Sequence, residues 1–191
     1  MNARQRSRSI AFSRRGRWIT AAVAGIAVAV AAFFIVRALT ENDNEAGTLK
    51  SASAGFTLDY PAGWKPVSKE QLARLPGPPL AMLRQTDRRG ILIVNRQARP
   101  TRDFGKVSAQ LDRQLRKRLP DFKKVSSHTV GIKAGQAFLY SYIRERRGTV
   151  HTTVVVPAGS RGYNLNAVVV AGAPEVARQV GAIIRSFDTN P

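Results

Sequence analysis

Residues 123–171, KKVSSHTVGIKAGQAFLYSYIRERRGTVHTTVVVPAGSRGYNLNAVVVA, decide the fold. The run is rich in β-branched and aromatic residues. Short turn-forming groups break it at Lys133-Ala134-Gly135, Arg146-Arg147-Gly148 and Ala158-Gly159-Ser160-Arg161. Segments of this composition and spacing are strands joined by tight hairpins. The pattern predicts strands at 123–132, 136–145, 149–157 and 162–171. Connections this short reverse the chain, so the four form an antiparallel meander. Phe138, Tyr140 and Tyr142 fall on one face of their strand, where a covering helix is expected.

Working outward, Asp103–Leu119 reads as a helix. Phe104, Val107, Leu111 and Leu115 recur at intervals of three and four and make one apolar stripe, while Lys106, Arg113 and Lys117 lie opposite. Pro120 ends it. Before it, Leu80–Thr86 and Ile91–Gln97 flank Asp87-Arg88-Arg89-Gly90, a hairpin signature. Ser68-Lys69-Glu70-Gln71 starts a short helix with Leu72 and Leu75 on its apolar side. Gly55–Tyr60 alternates as a strand that Pro61-Ala62-Gly63 stops. After the meander, Pro174 opens a last helix whose buried face is Val176, Val180, Ile183, Ile184 and Phe187. Helices must cover the apolar faces of the meander. The expected class is α+β: an antiparallel meander sheet covered by helices, an α/β/α sandwich.

One transmembrane helix is expected to precede this domain. Trp18–Val36 is a 19-residue run without a charge, about 28 Å long as a helix. Arg4, Arg6, Arg8, Arg14, Arg15 and Arg17 precede it; Glu41, Asp43 and Glu45 follow Arg37. This asymmetry keeps the amino end in the cytoplasm and sends the rest across. The chain thus divides into a basic cytoplasmic tail (1–17), a single plasma-membrane span (18–36), a polar linker (37–54) and an extracytoplasmic domain (55–191). Cleavage after Ala38 is the competing reading. The length of the apolar run and the lack of a polar spacer favour an uncleaved anchor.

The formal net charge is +19, and residues 38–191 still carry 24 basic against 12 acidic side chains. Such a field attracts anionic lipid, acidic polymer or nucleic acid. Export across a membrane argues against nucleic acid. The excess of 23 Arg over 8 Lys also fits a compositional background. The absence of cysteine from the sequence excludes disulfides, thiolate metal sites and a lipidated cysteine.

Phe56-x-Leu58-x-Tyr60-Pro61-x-Gly63-Trp64 resembles the opening of PsbP-like domains. The amphipathic helix before a long meander and the closing Ile183-Ile184-Arg185-Ser186-Phe187 are similar as well. The resemblance covers roughly residues 55–188. It implies an α/β/α sandwich shared with an extrinsic photosystem II subunit, a Ran-binding import factor and bacterial envelope lipoproteins. It also implies a binding or assembly role rather than an enzyme, and carries over no site residue. This chain has a membrane span where the lipoproteins have a lipidated cysteine.

The chemistry-bearing residues point the same way. His128 and His151 are isolated in separate strands, with no paired-histidine spacing for zinc. Ser126 and Ser127 precede His128, but neighbours in a strand point to opposite faces. The carboxylates after residue 55 are scattered singly, and no phosphate-cradling glycine loop occurs. No catalytic residue, metal or cofactor is expected. The candidate site is electrostatic. Two hairpin tips repeat Arg-Arg-Gly at 88–90 and 146–148. If the helix 103–119 returns the chain parallel to strand 91–97, both tips fall at one end of the sheet. Arg88, Arg89, Arg144, Arg146 and Arg147 would then form an anion-binding cluster. The function classes are therefore a tethered binding or assembly domain with an envelope protein partner, an electrostatic receptor for anionic lipid or wall polymer, or an unrecognised envelope enzyme.

Overall fold

The structure, a computed structural model, describes residues 45–98, 102–159 and 161–189. In chain order the elements are β1 (Gly47–Ser51), β2 (Phe56–Tyr60), β3 (Trp64–Pro66), α1 (Lys69–Ala73), β4 (Ala81–Gln85), β5 (Gly90–Ala98), α2 (Phe104–Arg118), β6 (Phe122–Ile132), β7 (Gly135–Arg144), β8 (Thr149–Ala158), β9 (Arg161–Val170) and α3 (Pro174–Ser186). The expected tail, span and residues 37–44 of the linker lie outside the described residues. Among the described residues no helix is long and apolar enough to cross a membrane.

The helix starts follow the side chains that cap them. Ser68 accepts from the backbone N–H of Gln71, and Asp103 from that of Lys106 at 3.1 Å. Pro174, at the first turn of α3, occupies a position where a missing N–H costs nothing. Leu111 and Leu115 are buried on α2, and Val176, Val180, Ile183 and Ile184 on α3. These are the stripes that the periodicity predicts.

Seven strands form one antiparallel sheet in the order β3-β4-β5-β9-β8-β7-β6. The meander β6 to β9 is as expected. β5 pairs with β9, from Gly90 opposite Val169 to Ala98 opposite Arg161, so α2 carries the chain from β5 to the far edge of the sheet. One face holds α3, whose Val180 and Ile183, with Phe187 just after the helix, pack with Phe56, Leu58, Leu92, Val94, Leu165 and Val169. The opposite face holds two separate apolar clusters. One lies under α1 (Leu72, Met82, Ile91, Ile93), the other under α2 (Leu111, Leu115, Phe138, Tyr140, Tyr142). Helices thus cover both faces, which is the sandwich.

Two strands lie where loop or linker was expected. Gly47–Ser51 pairs antiparallel with β2, inside the stretch 37–54 read as linker. Its segment GTLKS offers a single apolar residue, Leu49, which sits opposite Leu58 and packs on the core. A two-stranded edge ribbon needs no apolar run, so the periodicity is silent there. Trp64–Pro66 is the other. It is three residues long and ends in proline, as an edge position permits.

Candidate functional site

Both Arg-Arg-Gly tips lie at the same end of the sheet. The reason is the end of β9. Val170 donates its N–H to the carbonyl of Arg89 at 2.9 Å, and Ala171 donates to the carbonyl of Gly148 at 2.7 Å. Two consecutive residues therefore hold the two tips on either side of them. α2 does return the chain in the direction of β5, but at the opposite edge. The tips meet through β9.

The five arginines divide by environment. Arg144 is withdrawn from solvent. Its Nε lies 2.5 Å from Asp121, and the two side chains keep 11% and 3% of their exposure. Burial pushes the Asp121 carboxyl up, yet the hydrogen bond and charge of Arg144, with backbone N–H groups including that of Arg146, outweigh it and hold the group below its ordinary value. Arg144 thus fixes the base of the tip and is not offered to a ligand. Arg89 is half-buried and bridges to Glu175 on α3 at 2.8 Å. Arg88, Arg146 and Arg147 are exposed.

Arg88 is distinctive in its backbone. It adopts φ +63°, the only non-glycine residue with positive φ among those described. The turn is built to hold it there: Arg88 N–H donates to Gln85 O at 3.0 Å, and Arg89 N–H to Asp87 Oδ1 at 3.2 Å. A left-handed residue costs roughly 1 kcal/mol that glycine would not. Arg84, the penultimate residue of β4 and not among the sequence candidates, adds to the field. Burial first, then the charge of Arg88, lowers its pKa. Its position inside an apolar strand, AMLRQ, was the available signal.

Two other polar groupings invite a catalytic reading. Lys124 Nζ lies 3.4 Å from Ser108 Oγ and 3.2 Å from Asp112 Oδ2, and Ser108 Oγ lies 3.4 Å from Ser127 Oγ. A serine–lysine pair needs the lysine as a base, and an ammonium held in an ion pair is a donor. Asp112 also accepts from the Tyr140 hydroxyl. Burial pushes Asp112 up, but the hydrogen bonds of Tyr140 and Lys124 and the charges of Lys124 and Arg116 hold it below its ordinary value. Burial and that same carboxylate push the Tyr140 phenol up. The second grouping surrounds His151. The residue is 4% exposed, and its ring stacks on Tyr142 at 4.8 Å and shares a hydrogen bond with Thr149 at 3.0 Å. Burial, then the charges of Arg144 and Arg147, push it down to about 4 from 6.5. It is a neutral core histidine at neutral pH. His128 is exposed on β6. Among the described residues no three His, Cys, Asp or Glu side chains cluster as a metal would require.

Solved structures give the fold its company. The chain is similar to the cyanobacterial PsbP protein CyanoP of Synechocystis, with a TM-score of 0.54 and 13% identity over 80% of this chain and 97% of that one. It is also similar to the Ran-binding protein Mog1p of Saccharomyces cerevisiae, with a TM-score of 0.52 and 11% identity over 77% and 96%. No protein-family model and no curated protein matches the sequence. At these identities the likeness is one of fold, and the domain has the PsbP-like fold that Phe56 to Trp64 led us to expect.

Proposed function

We propose that this chain is a membrane-tethered, non-catalytic binding or assembly domain at the outer face of a plasma membrane of bacterial type. The arginine end of its sheet meets an acidic surface on an envelope protein partner. The observation that carries the reading is Arg88, a charged residue kept in a left-handed turn conformation at an exposed tip, where glycine would cost less. Arg146 and Arg147 extend the same end. Guanidinium groups on constrained turns suit carboxylates and phosphates. Six arginines before an uncharged 19-residue run support the tether. The likeness to a Ran-binding protein supports a protein partner. A second reading, an electrostatic receptor for anionic lipid or wall polymer, is favoured by the net charge of +19.

A reporter fused after Pro191 should be active outside the cytoplasm, with the full-length mass retained in membranes. A soluble product starting near Leu39 would refute the tether. For binding, the full-length chain with Arg88, Arg146 and Arg147 changed to Gln is compared with one changed at Arg113, Lys117 and Arg118, which are exposed on α2. Loss of a crosslinked envelope protein from the tip variant alone supports the first reading. A shallower salt dependence of binding to anionic vesicles in that variant alone supports the second. Equal loss from both sets would mean diffuse attraction and no site.

A further inference from the structure

Side chains alternate between the faces of a sheet, so the register defines rows that cross it. On the face that carries α1 and α2, one row runs Tyr140, Thr153, Asn166, Ile93, Met82 from β7 to β4. The next runs Phe138, Val155, Asn164, Asn95. Gln97 follows Asn95 on the same face. The apolar members of these rows belong to the two clusters under α1 and α2. Four carboxamides, Asn95, Gln97, Asn164 and Asn166, occupy the seam between them.

Each carboxamide has a buried polar atom without a partner: Asn95 Nδ2, Gln97 Oε1, Asn164 Oδ1 and Asn166 Nδ2. Asn164 and Asn166 are each 3% exposed. Asn166 Oδ1 is used, accepting from Thr153 Oγ1 at 3.0 Å. A buried polar group left unpaired costs stability, and four in one seam consume a sizeable share of a domain's margin. Apolar side chains fit these columns, as Ile91, Ile93 and Val168 show on the same strands and face. A local rule broken at such a cost marks a place kept for recognition.

The composition of the seam selects its ligand. All four side chains are uncharged. The orphan atoms are two donors and two acceptors. An anion would answer only the donors and a cation only the acceptors. A hydroxyl rotates to give or to take a hydrogen bond, and it suits a carboxamide in either orientation. We infer that Asn95, Gln97, Asn164 and Asn166 form a binding site for a neutral polyhydroxylated ligand, a sugar or polyol. Asn95 and Gln97, on β5, are half-buried, whereas Asn164 and Asn166, on β9, are buried. The inference rests on reading the domain as a binding module, and is independent of its tether and of the arginine end.

The test is nuclear magnetic resonance of the side-chain amides in the full-length chain, held in lauryldimethylamine-oxide micelles, whose head group carries no sugar. Glucose, galactose, mannose, arabinose and glycerol are titrated in turn, with N-acetylglycinamide as an amide control. At least one of the five is expected to shift the Asn164 and Asn166 amide signals saturably. Asn164→Leu is expected to weaken that binding roughly tenfold or more while leaving the fold intact. Asn164→Asp keeps the shape, adds a charge and is expected to weaken it as well. Shifts absent with all five probes, together with magnetisation transfer from buried water to these amides, would show a hydrated seam only and overturn the site. Shifts with N-acetylglycinamide alone would overturn the ligand class, and binding that survives both variants would place the sugar elsewhere. Failure of the tether or of the arginine end leaves these amide shifts unmoved, so the two readings fail separately.

Discussion

Arg144 and Asp121 pair at 2.5 Å beneath the second arginine tip, with the carboxylate almost wholly removed from water. Removing one member of a buried pair strands the other. Asp121→Asn is expected to destabilise the domain by about 3–5 kcal/mol. Urea unfolding of residues 45–191 measures it, followed by the fluorescence of Trp64, which is buried. Binding to anionic vesicles by the folded fraction should be unchanged. If it falls, Arg144 belongs to the site after all.

His151 makes stability depend on pH. Its folded pKa, pushed down to about 4 from 6.5, means that the unfolded chain takes up a proton that the folded one refuses. The contribution is complete above about 6.5 and is lost as pH falls to about 4. Its size is at most on the order of 3 kcal/mol. The Asp112 and Asp121 carboxyls, held below 3.8, add their losses only at lower pH. His151→Gln should flatten the unfolding free energy between pH 6.5 and 4. A profile as steep as that of the parent would refute the assignment.

Arg88 sets stability against binding. Arg88→Gly removes the left-handed penalty and should stabilise the domain by up to about 1 kcal/mol while weakening attachment to its anionic partner. Arg88→Gln should weaken attachment without the gain. A glycine variant that is less stable than the parent would mean that the arginine side chain pays for its own backbone.

The packing of the two faces is checked by size. Leu111→Ala and Ile183→Ala, 5% and 0% exposed, should each cost about 2–4 kcal/mol. Arg113→Ala, exposed on α2, should cost less than about 0.5 kcal/mol. Gly90→Ala should cost about 1–3 kcal/mol, because its Cβ would stand 2.6 Å from Val176 Cγ1 and 2.9 Å from the Trp64 ring. Equal losses at Leu111 and Arg113 would put α2 in the wrong phase.

Where burial follows period, the sequence was legible. The stripe of α2, the face of α3 and the alternation of β7 could each be read from spacing alone, and with them the sandwich. Strand order could not, because the pairing of Asn95 with Asn164 joins segments that no short turn connects. β1 was lost for want of apolar residues. At the arginine end, residue type and the shared end of the sheet could be inferred. The division of labour could not: that Arg144 is bound to Asp121 and Arg89 to Glu175 depends on partners distant in sequence. The carboxamide seam left no trace: Tyr163-Asn164-Leu165-Asn166 reads as an ordinary alternating strand with its polar face outward. Only the register puts its asparagines beside Asn95 and Gln97.

The position of β9 also orders events in time. In sequence it follows the other eight strands of the described residues, yet it lies between β5 and β8. Until it arrives, β3 to β5 and β6 to β8 are two separate ribbons, each with an open edge able to capture a strand from another molecule. The β6–β8 hairpins are local and can close early, whereas the joint between the ribbons has to wait for β9. A chain emerging amino end first therefore carries two unsealed edges until β9 has appeared. Any stop before the end of β9 would leave them open for good.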